Sequence, residues 1–158
     1  MKRLWSPWRM KYIMNHSHTD QCIFCKALEL KESNQNLIVK RGKNTFVLLN
    51  RYPYTSGHLM VAPYAHHPSL EELDEETRSE LIELVTHAEK VLKNVYKPEG
   101  FNIGANIGSV AGAGVEGHVH FHIVPRWKGD TNFMSVVGET RVLPESLEDT
   151  LKRVVDAW

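Results

Sequence analysis

His118-Val119-His120-Phe121-His122-Ile123-Val124-Pro125-Arg126 sets three histidines in alternation with apolar residues. On an extended strand, successive side chains leave opposite faces. The three imidazoles then share one face, while Val119, Phe121 and Ile123 point into a core. Alternation of this kind predicts a half-buried strand. Such a strand fixes three nitrogen bases in a row on a rigid element, which catalytic and metal sites both require. Three readings fit the pattern. The imidazoles can coordinate a metal, as in a three-histidine zinc site. One can act as nucleophile while its neighbours orient it and bind substrate. The third is a polar strand face that happens to be rich in histidine, and the scarcity of histidine argues against it. Spacing alone does not separate metal from nucleophile.

Upstream, Phe101 to Ile107 alternates again and predicts another strand. Residues 108–117 follow as Gly-Ser-Val-Ala-Gly-Ala-Gly-Val-Glu-Gly, with four glycines in ten residues. Glycine lets the backbone approach a ligand and turn its N–H groups toward phosphate oxygens. The spacing is neither a Walker loop nor a Rossmann fingerprint. Its place between a strand and the triple-histidine strand is what gives it weight.

Leu37 to Val39 and Thr45 to Asn50 read as strands joined by a hairpin turn at Arg41-Gly42-Lys43-Asn44. The second of these has no polar face, so it is covered on both sides. After a turn-rich loop over residues 51–57, His58 to Ala62 reads as the next strand. Pro68 to Tyr96 carries the main helix, with Asp74 as N-cap and Glu75 and Glu76 in its first turn. Leu81, Val85, Ala88, Leu92 and Val95 form its apolar stripe, and Pro98 and Gly100 stop it. His87 lies off the stripe, as a solvated surface residue. The acidic run Glu71 to Glu76 is a helix start, not a metal site. Pro144 opens a last helix with Leu147, Leu151, Val154 and Trp158 on one side. Cys22-Ile23-Phe24-Cys25 holds the only cysteines. Such a pair in a reducing compartment points to metal or redox chemistry. No strand precedes it, which argues against a thioredoxin-like site. A zinc pair needs two more ligands. His66 and His118 are the candidates, with His67 as the alternative to His66; adjacent residues face apart, so only one reaches.

The chain has 158 residues, a length for one domain, and 42% apolar residues, enough for a real core. Formal net charge is zero. Nothing in it predicts non-specific binding to nucleic acid or to an anionic membrane, so a phosphate-bearing ligand must be held by local donors. No N-terminal apolar stretch has the length of a signal peptide or a membrane span, and the expected location is the cytoplasm.

His-Val-His-Phe-His-Ile-Val resembles the signature of the histidine-triad (HIT) family, His-φ-His-φ-His-φ-φ with φ apolar, at every position. Asn50 to Pro63, Gly104 to Gly117 and Pro125-Arg126-Trp127 resemble the surrounding family blocks. Leu4-Trp5-Ser6-Pro7-Trp8-Arg9 and Gly129-Asp130-Thr131-Asn132-Phe133 resemble the branch related to diadenosine tetraphosphate phosphorylases. The resemblance implies an α+β fold, a mainly antiparallel sheet with one long helix and a C-terminal helix. It implies a single domain over residues 1–158, with an N-terminal arm at 1–21 and a C-terminal helix region at 140–158. It implies a homodimer, to whose interface the tryptophans of the arm would contribute.

The resemblance also assigns roles. His120 would attack the α-phosphorus of a nucleoside polyphosphate through Nε2, its Nδ1–H held by the backbone carbonyl of His118. His122 would hydrogen-bond the phosphate. Asn50 would bind the ribose, Asn106 would contact phosphate, and Gly114 lies in the phosphate loop. Cys22, Cys25, His66 and His118 would form a structural zinc site, with no Mg²⁺ required at the histidines. Dinucleoside tetraphosphates, cleaved by water or phosphate, are the implied substrates. The related uridylyltransferases carry His-Pro-His at the nucleophile; Val119 sets that branch aside. One departure stands out: the family often has Gln or Ser four residues before its first triad histidine, where this chain has Gly114. That departure supports a second reading, a nucleotide-binding module with little catalysis. The three-histidine metalloenzyme is the third.

Overall fold

A computed structural model describes residues 21–31, 33–130 and 144–158. The tryptophan arm, Thr131 to Phe133 of the late block and residues 140–143 of the C-terminal region lie outside them. Among the described residues five strands form one sheet, β1 (Ile38–Arg41), β2 (Thr45–Leu49), β3 (Leu59–Pro63), β4 (Gly100–Gly104) and β5 (Phe121–Arg126), in the order β1-β2-β3-β5-β4. Every pairing is antiparallel. The helices are α1 (Ile23–Glu29), α2 (Ser33–Asn36), α3 (Glu75–Tyr96) and α4 (Leu147–Asp156). This is the expected α+β architecture.

Period two sorts the sheet into two cores. Val47, Leu49, Leu59, Val61, Val119 and Ile123 face α3 and α4, meeting Leu81, Val85, Ala88, Leu92, Leu151 and Val154. Phe46, Leu48, Met60 and Ala62 face the other way and meet Phe24 and Ala27 of α1. All residues of β2 and β3 are buried, as strands without a polar face require. The β1–β2 turn is closed by the Gly42 N–H donating to the Thr45 carbonyl at 2.8 Å. Glu80 of α3 accepts the next two N–H groups, of Lys43 at 2.5 Å and Asn44 at 2.6 Å, which ties the hairpin to the long helix.

Asp74 caps α3 by accepting the Thr77 N–H at 2.7 Å. The helix starts at that expected cap, and Leu70–Glu72 before it forms a separate 3-10 turn. Lys97, at φ 48°, ends it one residue before Pro98. The last helix is opened by Ser146, whose Oγ accepts the Asp149 N–H at 3.1 Å, and not by Pro144. His87 is exposed as expected, but its ring packs on Trp158 at 4.8 Å between centroids.

Two strands are shorter than their alternation suggests. The β3–β5 ladder runs from Leu59↔Ile123 to Val61↔Phe121. Continuing it would bring Val119 opposite Pro63, which has no N–H to give. The Val119 N–H instead donates to the His67 carbonyl at 2.7 Å. β4 stops at Gly104, and Ile103 and Ile107 are 42% and 45% exposed. β4 is the sheet edge among the described residues, so its alternation meets no covering layer beyond Phe101. No helix among the described residues is long and apolar enough to cross a membrane.

Candidate active site

The three triad imidazoles lie on the α1 face of the sheet, opposite Val119 and Ile123. The ring of Phe24 stands 5.0 Å from that of His118 and 4.6 Å from that of His120, and His120 meets His122 edge-on at 4.8 Å. Each imidazole is held differently. Nδ1 of His120 is 2.8 Å from the His118 carbonyl oxygen. A carbonyl only accepts, so Nδ1 carries the proton and the lone pair is left on Nε2. Burial pushes the His120 pKa below its ordinary value, with the bond to the His118 carbonyl opposing the shift. The ring is therefore neutral at physiological pH and presents a basic Nε2.

His122 is oriented by a residue that sequence reasoning assigned only to a strand. His58, fully buried at the head of β3, places Nε2 3.0 Å from Nδ1 of His122. Nδ1 of His58 accepts the Tyr54 backbone N–H at 3.1 Å and stands 3.4 Å from the Asn50 amide nitrogen, a second donor. With Nδ1 accepting, neutral His58 carries its proton on Nε2 and donates it to Nδ1 of His122. Neutral His122 must then carry its own proton on Nε2. The result is a pair of complementary groups on adjacent imidazoles, a lone pair on His120 and an N–H on His122. A single histidine at a strand head reads as a core residue. Only the pairing Met60↔His122, which puts His58 and His122 on one face, reveals the link.

His118 turns away from this pair. Its Nε2–H donates to the Pro63 carbonyl at 2.8 Å, and its Nδ1 faces Cys22 Sγ at 3.4 Å and Cys25 Sγ at 3.8 Å. Nδ1 of His66 lies 3.5 Å from Cys25 Sγ, and the four ligand atoms of Cys22, Cys25, His66 and His118 are all within 4.8 Å of one another. His67 is not among them, since its Nδ1 pairs with Glu72 at 3.1 Å. A Cβ on Gly117 would stand 3.1 Å from His66 Nε2, so glycine lets the His66 ring in. Burial pushes His118 down to about 4, which keeps Nδ1 unprotonated as a ligand must be. Burial, then the neighbouring Cys22, pushes the Cys25 thiol up, and a bound cation reverses that balance. Two sulfurs and two imidazole nitrogens at these separations suit a tetrahedral thiophilic ion, whose ligands stand about 3.3 to 3.8 Å apart. The carbonyl of Pro63 supplies the outer hydrogen bond that a ligating histidine needs.

Asn50 ends β2. Its Oδ1 accepts the Tyr52 N–H at 2.9 Å, so it shapes the 51–57 loop as well as reaching His58. Asn106 follows β4. The register Gly104↔His122, continued by two residues, sets it opposite His120, and its amide donates to the Gly112 carbonyl at 3.4 Å. Gly108 and Gly112 turn the loop with φ of 81° and 86°. Gly114 is exposed in the same loop, while Val115 packs against the α1-side core.

Fold and site together define a histidine-triad domain, with one member on a cysteine cluster, one with a free Nε2 and one on a partner histidine. The HIT domain family model matches residues 31–129, and the chain belongs to that family. It is 39% identical to the AP-4-A phosphorylase of Mycobacterium tuberculosis, over all of this chain and 85% of that protein. It is 28% identical to the adenosine 5'-monophosphoramidase of Candida albicans, over 84% of this chain and 93% of that one. Among solved structures, a hypothetical histidine triad nucleotide-binding protein of Sulfolobus tokodaii superposes with TM-score 0.69 at 30% identity, covering 86% of this chain and 91% of that chain. A zinc-bound histidine triad family protein of Mycobacterium smegmatis superposes with TM-score 0.69 at 25% identity, covering 87% of this chain and 92% of its own.

Proposed function

We propose that this chain transfers a nucleotidyl group from a dinucleoside polyphosphate to water or inorganic phosphate, through a covalent nucleotidyl-histidine on His120. The observation that carries the reading is the 2.8 Å bond from His120 Nδ1–H to the His118 carbonyl, which frees Nε2 for phosphorus. Nε2 attacks the α-phosphorus, a P–N bond forms, and the P–O bond to the departing polyphosphate breaks with its electron pair leaving on oxygen. The Nε2–H of His122 donates to phosphate oxygen as that charge develops. Water or phosphate then attacks the same phosphorus and the P–N bond breaks, so each step is easier than direct displacement. Asn50 holds the ribose, and Asn106 with the loop around Gly114 holds the phosphates. The whole-length likeness to an AP-4-A phosphorylase supports diadenosine tetraphosphate as a substrate. It would yield ATP, with AMP when water is the acceptor or ADP when phosphate is.

Zinc in the Cys22, Cys25, His66 and His118 cluster would tie the N-terminal segment to the sheet and take no part in the steps above; none of them uses Mg²⁺. Engagement of both His118 nitrogens, by Pro63 and by the cysteines, favours this over a three-histidine metal centre. The free thiols suit the cytoplasm. The exposed edge at Ile103 and Ile107 suits a homodimer.

Substrate labelled at the α-phosphate should leave a base-stable, acid-labile label on the protein after a rapid quench. His120→Asn should abolish label and turnover and leave nucleotide affinity within a few-fold. Full turnover in that variant would sink the reading. Chromatography of the products with and without phosphate identifies the acceptor.

A further inference from the structure

The hydrogen bond between His58 and His122 can run in either direction. Either His58 Nε2–H donates to His122 Nδ1, or His122 Nδ1–H donates to His58 Nε2. Both arrangements contain one bond between the same two atoms, so the pair itself does not choose. The choice is made at the far end, by what meets Nδ1 of His58. A donor there fixes the first arrangement; an acceptor, such as a water oxygen, permits the second. In the second, His122 would turn a bare lone pair toward the substrate phosphate, where its N–H is wanted.

Two donors meet that end, the Asn50 amide at 3.4 Å and the nearer Tyr54 backbone N–H, and Tyr54 acts on it twice. Its backbone N–H donates to His58 Nδ1 at 3.1 Å. Its ring lies 4.6 Å from the His58 ring and 6.0 Å from the His122 ring, at 26° to the latter. The ring thus covers both imidazoles while 41% of the residue stays exposed to solvent. A lid of this kind keeps water from His58 Nδ1 and holds the loop close enough for the N–H to bond. From this geometry we infer that Tyr54 is a positioning residue: it acts through His58 to keep His122 in the tautomer that presents Nε2–H. Tyr54 needs no contact with substrate for this, and its hydroxyl has no part in it. The effect on turnover rests on the transfer reaction proposed above; the effect on the tautomers does not.

The full chain, labelled with ¹⁵N-histidine, reports each ring nitrogen by its chemical shift in the absence of nucleotide. Wild type and Tyr54→Phe should both show His58 and His122 as pure Nε2–H tautomers. Tyr54→Ala keeps the backbone N–H but uncovers the pair. It should show averaged shifts at both residues, with kcat lowered about tenfold, KM within about threefold and Tm unchanged, a partial loss of one oriented donor. Unaveraged tautomers in Tyr54→Ala would overturn the inference. So would a Phe variant as impaired as the Ala variant, or a loss confined to KM. If the tautomers respond as stated while no label is ever trapped on His120, the positioning role stands and the transfer reaction is what fails.

Discussion

The carbonyl of His118 decides which nitrogen of His120 is free, and burial decides at what pH it stays free. Desolvation disfavours the imidazolium, so the folded pKa lies below the ordinary value of about 6.5. A lowered pKa means that protonation, and with it loss of the proposed nucleophile, is postponed to lower pH. Activity should therefore hold as pH falls through 6.5, and the acid limb of kcat/KM should bend only below it. A pH–rate profile measured where the fold is intact by circular dichroism checks this. A limb centred above 6.5 would mean that His120 is not the titrating base. Alternation in the sequence was enough to place three imidazoles on one face. Their different hydrogen-bonding partners were not legible, because Pro63 and His58 lie far from the triad in sequence and meet it only through the sheet. The family resemblance anticipated the His118 carbonyl; His58 escaped both routes, since one histidine beside a glycine carries no pattern.

Among the elements, those with the strongest local chemistry were legible: α3 from its stripe and Asp74 cap, β2 from its unbroken apolar run. Boundaries set by tertiary partners were not. The ladder of β5 ends where Pro63 cannot donate, and β4 alternates without a layer to cover it. The join between α3 and α4 is of the same hidden kind. Tyr96, near the end of α3, donates its hydroxyl to Glu145 Oε2 at 2.5 Å, and Thr150 Oγ1 and Arg153 Nε bond the same carboxylate at 3.0 and 2.7 Å. Burial, then Glu145, pushes the Tyr96 pKa up to about 12. Tyr96→Phe should lose one bond to a charged acceptor, about 1.5 kcal/mol, and lower Tm by about 3 to 6 °C. Here the folded pKa exceeds the unfolded value of about 10, so the folded state binds more protons between the two and stability falls as pH rises through that window. The Tm gap between wild type and variant should be full below pH 10 and shrink toward pH 12. A gap that does not change with pH would leave only the lost packing of an oxygen atom.

At the scale of the whole molecule, one face of the sheet packs against α3 and α4, and among the described residues the other packs against α1. The second face carries the three triad imidazoles. What holds α1 there is the Phe24 contact and the cluster that joins residues 22 and 25 to residues 66 and 118, up to 96 positions away in sequence. The spacing of the cysteines left metal and redox chemistry open, and it is the fold that brings His66, not His67, within 4.8 Å of them and His118. If zinc fills that cluster, binding to the folded state alone adds about 4 kcal/mol at a thousandfold excess over Kd. Stripping it should then lower Tm by about 8 to 16 °C. Because the proposed nucleophile, His120, is held by a carbonyl and not by the ion, activity at low temperature should outlast the metal: the stripped protein should turn over below its new Tm and lose activity as α1 detaches on warming. Cys25→Ser should reproduce both effects, with zinc content near zero by atomic emission. Zinc-replete protein whose Tm ignores chelation would remove the tie. Immediate loss of turnover at an unchanged Tm would instead place the ion in the reaction, against the division of labour among the three histidines drawn above.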